Sequence, residues 1–440
     1  MREAFRLRSR HDRAVAALAI PALGSLVADP LLSLVDTAFV GRLGSDSLAG
    51  LGIAAALFGV AFFVFNFLEY GTTTEVARSV GAGNRAAAGR ATITAGALAV
   101  LAGMAVAALL LFLAGPAVGA LGAAGLVKAE AVTYVMIRAL AAPAVLVVRA
   151  AHGAYRGHQD TRTPFMVALG ISGLNLVLDP LLIFGAGMGV AGAAWATVIA
   201  QWLGAIVFVG LLRKGKAAYG LDGVKPVVAE VRVFLRIGRD LAIRTGSLLA
   251  AFTAATAVAA RVSDDAVAAH QILSQLFIFL ALTVDALAIA AQALVGKYRG
   301  SGDGAAVLEL SDRLLVLGGG VGLMLAGGLW LLAPVIGSWF TGDAGVLFEF
   351  DQAFWLVVMI QPLAALVFVW DGVFIGAGDF TFLAGAMAAS ALVSGAVLVL
   401  VIPFGWGLVG VWWGIVVLLS ARLVTLAWRR VAARSPLRLA

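Results

Sequence analysis

Four polar residues lie inside long apolar stretches of this sequence and could together bind an ion. They are Asp36, Asn175, Asp179 and Thr197, whose side chains offer carboxylate, amide and hydroxyl groups. A charge at membrane depth costs about 3 kcal/mol or more, so an acid there is a functional candidate. Removal from water favours the neutral form of an aspartate, and a second acid nearby strengthens that preference. Asp36 and Asp179 are therefore predicted to bind and release protons.

The spacing of these residues predicts how they act. Asn175 and Asp179 are four residues apart, so they share one face of a helix. Pro21 and Pro30 lie in the same apolar stretch as Asp36. Each proline removes a backbone hydrogen bond and favours a kink. A helix that can bend and also carries a titratable acid is predicted to switch between two conformations.

Membrane-spanning helices must hold these side chains. The sequence is 62% apolar and only 12% charged, a composition typical of helical membrane proteins. Its apolar runs are long enough to cross about 30 Å of hydrocarbon and too long for the strands of a membrane barrel. We predict an all-α polytopic membrane protein with twelve transmembrane helices, near 14–41, 47–70, 90–114, 129–155, 163–184, 190–212, 237–260, 266–295, 309–336, 348–375, 380–402 and 406–428.

The positive charges predict the orientation of the spans. Between odd and even spans the basic residues are Arg42, Lys128 and Arg261, whereas the other loops are strongly basic. The densest basic stretches are 213–239 and the N-terminus, with Arg2, Arg6, Arg8, Arg10 and Arg13. This asymmetry predicts a multi-pass protein of the cytoplasmic (inner) membrane with both termini in the cytoplasm. The net charge of +7 therefore reflects topology, and we expect a lipid bilayer and no nucleic acid as partner.

The two halves of the chain resemble each other at an offset of 219 residues. Arg42, Asp46 and Ala49 fall on Arg261, Asp265 and Ala268, and similar matches continue along most of the half. Each copy holds six spans, so both insert with the same topology and are related by a pseudo-twofold axis along the membrane normal. We predict two six-helix lobes: an N-lobe at 1–212, a basic cytoplasmic linker at 213–236 and a C-lobe at 237–440.

The second copy lacks the polar cluster of the first. The counterparts of Asp36, Asn175, Asp179 and Thr197 are, in that order, Ala255, Ser394, Leu398 and Ile415. A requirement of the shared fold would apply to both copies, so the cluster is predicted to serve ion coupling. The alternative is a buried polar network that only holds the first, fifth and sixth spans together.

The C-lobe has intramembrane acids of its own. Asp285 and Asp371 fall on Asn66 and His152 of the first copy, which are polar but not acidic. Either acid could be a second protonation site or could pair with a basic group such as Arg244. The sequence has no cysteine, four scattered histidines and no ATP-binding motif. We therefore expect no cofactor and no metal centre other than a coupling ion, and energy from an ion gradient.

Several motifs resemble those of the multidrug and toxic compound extrusion (MATE) family, and more closely its branch of DNA-damage-inducible-protein-F type. They are Pro21 to Gly24, Leu34 to Gly44, Ala268 to Ile272, Asp371 to Gly376, Asn175 to Pro180 and Trp195 to Thr197. The resemblance implies an antiporter that expels organic, often cationic, compounds in exchange for protons or sodium ions. It also implies that the cluster around Asp36 binds the coupling ion, that the proline of the first span is linked to bending, and that Asp371 handles ion or substrate in some branches.

These observations together predict an ion-coupled exporter of organic cations that works by alternating access. It is not an enzyme, and we expect a monomer. The resemblance favours H⁺, although Asp36, Asn175, Asp179 and Thr197 also offer oxygen ligands that suit Na⁺. The alternatives are a flippase for lipid-linked saccharides, a lipid-modifying membrane enzyme and a scaffold. A flippase would need many basic residues for pyrophosphate, and few lie inside the spans: Arg138, Arg149, Arg244 and Arg422.

Overall fold

Helices connected by loops make up most of the part that the computed structural model describes, residues 9–433 and 435–437. Arg2, Arg6 and Arg8 of the basic N-terminus lie outside these residues. No strand occurs in the described ranges. The α-helices there are α1 (Asp12–Gly41), α2 (Ser45–Phe63), α3 (Asn66–Gly81), α4 (Arg85–Ala120), α5 (Gly125–Ala139), α6 (Ala142–Gly157), α7 (Arg162–Pro180), α8 (Gly189–Lys214), α9 (Val228–Val262), α10 (Asp264–Gly300), α11 (Gly304–Ile336), α12 (Ala344–Gly376), α13 (Phe380–Val401) and α14 (Gly407–Val431).

The helices confirm the predicted fold class. Eleven stretches of the described chain are long and apolar enough to cross a membrane, and α2 with α3 form one of them. The pair α5 and α6 is bent by 54° and gives a twelfth if it counts as one span. Many helices extend beyond the predicted apolar runs. α4, for example, covers 36 residues where the hydropathy indicated 90–114, because polar helix ends can continue into water.

The same helix start occurs in both halves and supports the internal repeat. Gly83 and Gly302 have φ values of +70° and +75°, which a residue with a side chain rarely adopts. Asn84 and Asp303 follow them, and each side chain accepts a hydrogen bond from the backbone N–H three residues later, at 3.0 and 2.9 Å. These N-caps begin α4 and α11.

The described chain forms two compact units whose boundaries differ from the predicted lobes. The first unit is Ile20–Gly238, and the second contains the chain up to Ala19 together with everything from Arg239 onward. The predicted N-lobe began at residue 1 and the predicted linker covered 213–236, whereas the start of α1 belongs to the second unit and the chain up to Gly238 belongs to the first. Hydropathy locates spans, but it does not show which neighbours the polar ends of a helix contact.

Ion pairs explain this assignment. In the second unit, Arg313 donates from Nε and Nη2 to the two carboxylate oxygens of Asp12 at 2.7 and 2.8 Å. In the first unit, Arg90 Nε and the Thr94 hydroxyl donate to Glu230 at 3.2 and 3.0 Å. These contacts hold the first turn of α1 in the second unit and the first turn of α9 in the first unit.

Glycines allow close helix contacts inside each unit. A Cβ placed on Gly103 of α4 would overlap the backbone of Pro143 at the start of α6, whereas the same atom on Gly96 would meet open space. In the second unit, Gly372 of α12 lies equally close to the backbone of Ala288 on α10. Small residues at such positions let membrane helices approach closely.

The substitution Gly103→Ala is expected to lower the free energy of unfolding by about 1–3 kcal/mol, because the added methyl group overpacks a backbone contact. The matched variant Gly96→Ala lies on the same helix and should leave stability unchanged or slightly higher. Thermal unfolding of the detergent-solubilised protein compares the two variants. Equal unfolding temperatures would contradict the close contact between α4 and α6.

Candidate functional site

Three helices of the first unit bring the predicted cluster together. Asp36 lies on α1, Asn175 and Asp179 lie on α7, and Thr197 lies on α8. Asn175 and Asp179 have no exposed surface, and Asp36 is only 7% exposed. The residues are far apart in sequence and buried in an apolar environment, so helix packing alone must hold their polar groups in place.

Two local features fix the positions of α7 and α8. Pro180 ends α7, and the chain continues as one π-helical turn, Leu181–Gly185. Gly192 of α8 has no side chain, and a Cβ there would lie 2.7 Å from the carbonyl carbon of Leu182 in that turn. α8 therefore packs directly on the π turn, which places Thr197 beside Asn175.

Asn175 is the centre of the cluster. Its amide nitrogen donates to Asp36 Oδ1 at 2.9 Å and to Asp179 Oδ2 at 3.3 Å, and its oxygen accepts from the Thr197 backbone N–H at 3.2 Å. We assign this amide orientation because the reverse one would direct the amide oxygen at two carboxylates. Asn175 thus joins an acid on α1 to an acid on α7.

The two carboxyl groups also contact each other. Asp36 and Asp179 lie within hydrogen-bonding range, and two carboxyl groups can share a hydrogen bond only when one of them carries a proton. Asp179 Oδ1 is buried and meets no donor among the described residues. A proton on this pair supplies the missing donor, so the geometry suits a carboxyl pair that holds one proton.

Thr197 contributes mainly through its backbone. Its hydroxyl donates to the Ala193 carbonyl at 3.1 Å, within its own helix, and its N–H is the group that orients Asn175. The four residues predicted from the sequence are therefore all in one cluster. Their role in ion coupling stays a prediction.

The two prolines predicted to kink the first span lie within a helix that runs unbroken from Asp12 to Gly41. The Ser25 hydroxyl donates to the Pro21 carbonyl at 3.2 Å. Gly24 lies so close to the Phe165 ring of α7 that a Cβ there would overlap it. α1 and α7 are thus in contact well away from the acids, and bending at Pro21 or Pro30 stays a prediction.

Two polar residues on α5 were not predicted as candidates. Tyr134 is fully buried, and its hydroxyl accepts a hydrogen bond from within the same helix. Arg138 Nη1 donates to the same hydroxyl at 2.8 Å. A tyrosine and an arginine four residues apart in an apolar span share one helix face, and this spacing could have indicated their contact from the sequence.

The acids Asp285 and Asp371 lie in the second unit. Arg244 Nη2 donates to Asp371 Oδ2 at 2.6 Å, and Arg422 donates to its other oxygen, Oδ1. All three side chains are buried. Asp285 is on α10, one turn before Ala288, which packs on Gly372. The structure therefore places Asp371 in ion pairs with two arginines. Asp285 lies on α10, the helix that packs against α12 at Gly372.

Comparisons with known proteins agree with this architecture. A family model described as MatE matches residues 21–181 and 247–401. The chain is 34% identical to Protein DETOXIFICATION 44, chloroplastic, of Arabidopsis thaliana, over 94% of this chain and 81% of the relative. It is 32% identical to DNA damage-inducible protein F of Escherichia coli (strain K12), over 95% and 92%. A crystal structure of MATE in the bent conformation shares the fold, with a TM-score of 0.88 and 22% identity over 97% and 96% of the two chains.

Proposed function

Because the chain belongs to the MATE family of membrane transporters, we propose that it exports small organic compounds, organic cations first among them, in exchange for protons bound by Asp36 and Asp179. The observation that carries this proposal is the contact between the two buried carboxyl groups, bridged by Asn175. A buried pair of acids attracts either a proton or a cationic substrate, and binding of one disfavours the other.

Protonation changes the force between two helices. With one proton on the pair, Asp36 and Asp179 share a hydrogen bond that draws α1 toward α7. Without it, two like charges repel each other in surroundings of low dielectric constant. The prolines of α1 leave some backbone carbonyls without an intrahelical partner, so α1 can bend at a lower cost than a regular helix.

This difference couples the proton gradient to export. On the acidic outer side the pair takes up a proton, loses its affinity for a cation and releases the substrate. On the cytoplasmic side the proton leaves and a new cation binds. A ligand shifts such an equilibrium only through its different affinity for the two states, and the charge of the pair supplies that difference.

The orientation of Asn175 favours H⁺ over Na⁺. A metal cation needs several oxygen ligands around it. Asn175 directs its amide nitrogen, a hydrogen-bond donor, at both carboxylates, and its oxygen is bonded to the Thr197 backbone. The site therefore offers a metal cation fewer oxygen ligands than its four side chains suggest. A proton needs only a carboxyl oxygen of Asp36 or Asp179.

The proposed location is the cytoplasmic membrane, with both termini on the cytoplasmic side, and the proposed functional form is a monomer. The strongly basic loops at one side of the predicted topology support the orientation. α8 and α14 follow the same pattern, because each ends in basic residues, Arg213 with Lys214 and Arg429 with Arg430.

Transport of a fluorescent organic cation into proteoliposomes tests the proposal. The purified protein is reconstituted, and a pH gradient and a sodium gradient are imposed in separate experiments. We expect dye movement with the pH gradient alone and none with the sodium gradient alone. Movement that requires sodium would overturn proton coupling, and no movement of any cation under either gradient would overturn the proposed function.

A further inference from the structure

Two helices pass from one unit to the other at matching positions of the internal repeat. α1 enters the first unit after Ala19, and α9 enters the second unit after Gly238. Ala19 and Gly238 are 219 residues apart, which is the offset of the repeat. Both helices are continuous at the crossing. We call residues 9–19 the first arm and residues 228–238 the second arm. Each arm thus contains the start of a helix whose remainder belongs to the other unit.

Each arm buries an apolar face. Three apolar residues are buried in either arm, at positions that correspond in the repeat: Val15, Leu18 and Ala19 in the first, and Phe234, Ile237 and Gly238 in the second. Their spacing places them on one side of the helix. The second arm packs on α3, because a Cβ on Gly238 would lie 3.1 Å from the Phe67 ring and a Cβ on Gly71 would lie 3.2 Å from Ile237.

An ion pair anchors each arm to the start of a long helix. In the first arm, Arg10 Nη2 lies 2.5 Å from Glu309 Oε2 of α11. In the second arm, Glu230 accepts a hydrogen bond from Arg90 Nε of α4 at 3.2 Å. Glu309 and Arg90 are also 219 residues apart. The same contact therefore occurs in both halves with its charges exchanged.

The two anchors differ in how easily they can break. In the first arm, Asp12 accepts two hydrogen bonds from Arg313, whose side chain is only 8% exposed. The second arm depends on Glu230, whose side chain is 27% exposed and makes single contacts with Arg90 and Thr94. Ion pairs in contact with water contribute little to stability. The second arm is therefore the easier one to release.

The two crossings also differ. Pro21 lies two residues after Ala19, where it favours a bend in α1 beside the first arm. The matching residue of α9 is Asp240, and α9 contains no proline. A break in a regular helix leaves backbone groups without partners. A movement that strains both crossings is thus expected to bend α1 and to detach the second arm.

We propose that the second arm is a latch on the cytoplasmic side, which must detach from α3 and α4 before the transport pathway opens to the cytoplasm, whereas the first arm stays bound. The basic stretch 213–239 predicts the cytoplasmic location of this arm. The role of the latch rests on the proposed function, because alternating access requires the two repeats to move against each other.

A reversible crosslink fixes each arm in turn. The sequence has no cysteine, so introduced cysteines react specifically. Two cysteine pairs replace contacting side chains: Thr94→Cys with Glu230→Cys for the second arm, and Asp12→Cys with Arg313→Cys for the first arm as the matched control. A short bis-methanethiosulfonate reagent bridges each pair, and intact-mass spectrometry verifies the bridge. Transport of a fluorescent organic cation under a pH gradient is measured before bridging, after it and after reduction.

We expect the bridge on the second arm to stop transport and its reduction to restore transport, whereas the bridge on the first arm leaves the rate unchanged. Full transport with a bridged second arm would overturn the latch and leave the exporter proposal standing. Loss of transport with a bridged first arm would overturn the difference between the arms. Absence of transport by the wild type and by both unbridged variants would overturn the exporter proposal itself.

A second measurement detects detachment without a bridge. Ile237→Cys places a thiol on the buried face of the second arm, and its labelling by a water-soluble maleimide reports exposure of that face. Adding Glu230→Gln weakens the contacts with Arg90 and Thr94 and should raise the labelling rate about threefold. Adding Asp222→Asn removes an exposed acid of the linker and should leave the rate unchanged. Thermal unfolding verifies that both variants are folded, and equal labelling rates in them would contradict the anchoring of the arm by Glu230.

Discussion

Replacing Asp36 with asparagine is expected to reduce transport driven by a pH gradient to the level of protein-free liposomes. The substitution keeps the size of the side chain and its ability to hydrogen-bond to Asn175, but it removes the group that shares a proton with Asp179. Asp179 then has no second carboxyl group with which to share a proton, so the two states of the pair no longer differ in their interaction between α1 and α7. Initial rates of dye-cation uptake in proteoliposomes, compared at equal protein content, measure the effect.

The matched control is Asp46→Asn. Asp46 is an exposed aspartate in the first turn of α2, in the same unit as Asp36, and its substitution should leave transport at the wild-type rate. The unfolding temperature of Asp36→Asn should also stay close to that of the wild type, because the neutral amide avoids a buried charge. Full transport by a folded Asp36→Asn variant would show that the cluster only holds helices together.

The substitution Asp371→Asn is expected to have the largest effect on stability, a loss of about 3–5 kcal/mol. Arg244 and Arg422 both donate to this carboxylate in the buried core of the second unit. A neutral amide in its place removes the negative charge to which both buried guanidinium groups donate. The measurement is unfolding of the detergent-solubilised variant, followed by heat or denaturant.

Two comparisons make this result specific. Asp351→Asn removes an exposed carboxylate from the same helix, α12, and should have little effect. Adding Arg244→Gln to Asp371→Asn should recover part of the lost stability, because one of the two buried positive charges is then gone. If Asp371→Asn unfolds like the wild type but no longer transports, Asp371 is a second coupling site, the role that the family resemblance implies for it.

The fold class could be predicted from the sequence because the bilayer imposes a length on each helix. Runs such as 380–402 correspond closely to observed helices, here Phe380–Val401. The helix ends were harder to predict, since they leave the hydrocarbon and are no longer described by hydropathy. The assignment of the first turn of α1 to the second unit depends on the ion pair between Asp12 and Arg313, residues 301 positions apart.

The candidate site could be predicted in part for two reasons. Acids are rare inside membrane spans, and the internal repeat provided a copy in which Asp36 is replaced by Ala255. The orientation of the Asn175 amide and the contact between the two carboxyl groups could not be predicted, because both depend on how α1, α7 and α8 pack. For the same reason, Arg138 was recognised as an intramembrane arginine, but its contacts with Tyr134 and Phe58 were not predicted.

The ionic partners of Asp371 could be predicted only in part from the sequence. Arg244 was recognised as a candidate partner for Asp371, but Arg422 was not, although it lies only 51 residues away along the chain. α12 and α14 bring the two together. Whether an intramembrane acid is free to titrate depends on such partners, which spacing within one helix does not reveal.

The most direct test of the central claim is proton release on substrate binding. An organic cation is added to purified protein in a weakly buffered solution near neutral pH, and the change in proton concentration is recorded for the wild type and Asp36→Asn. Competition between proton and substrate at the carboxyl pair predicts that the wild type releases protons in proportion to the cation bound and that Asp36→Asn releases none. Saturable binding to the wild type without proton release would contradict the account.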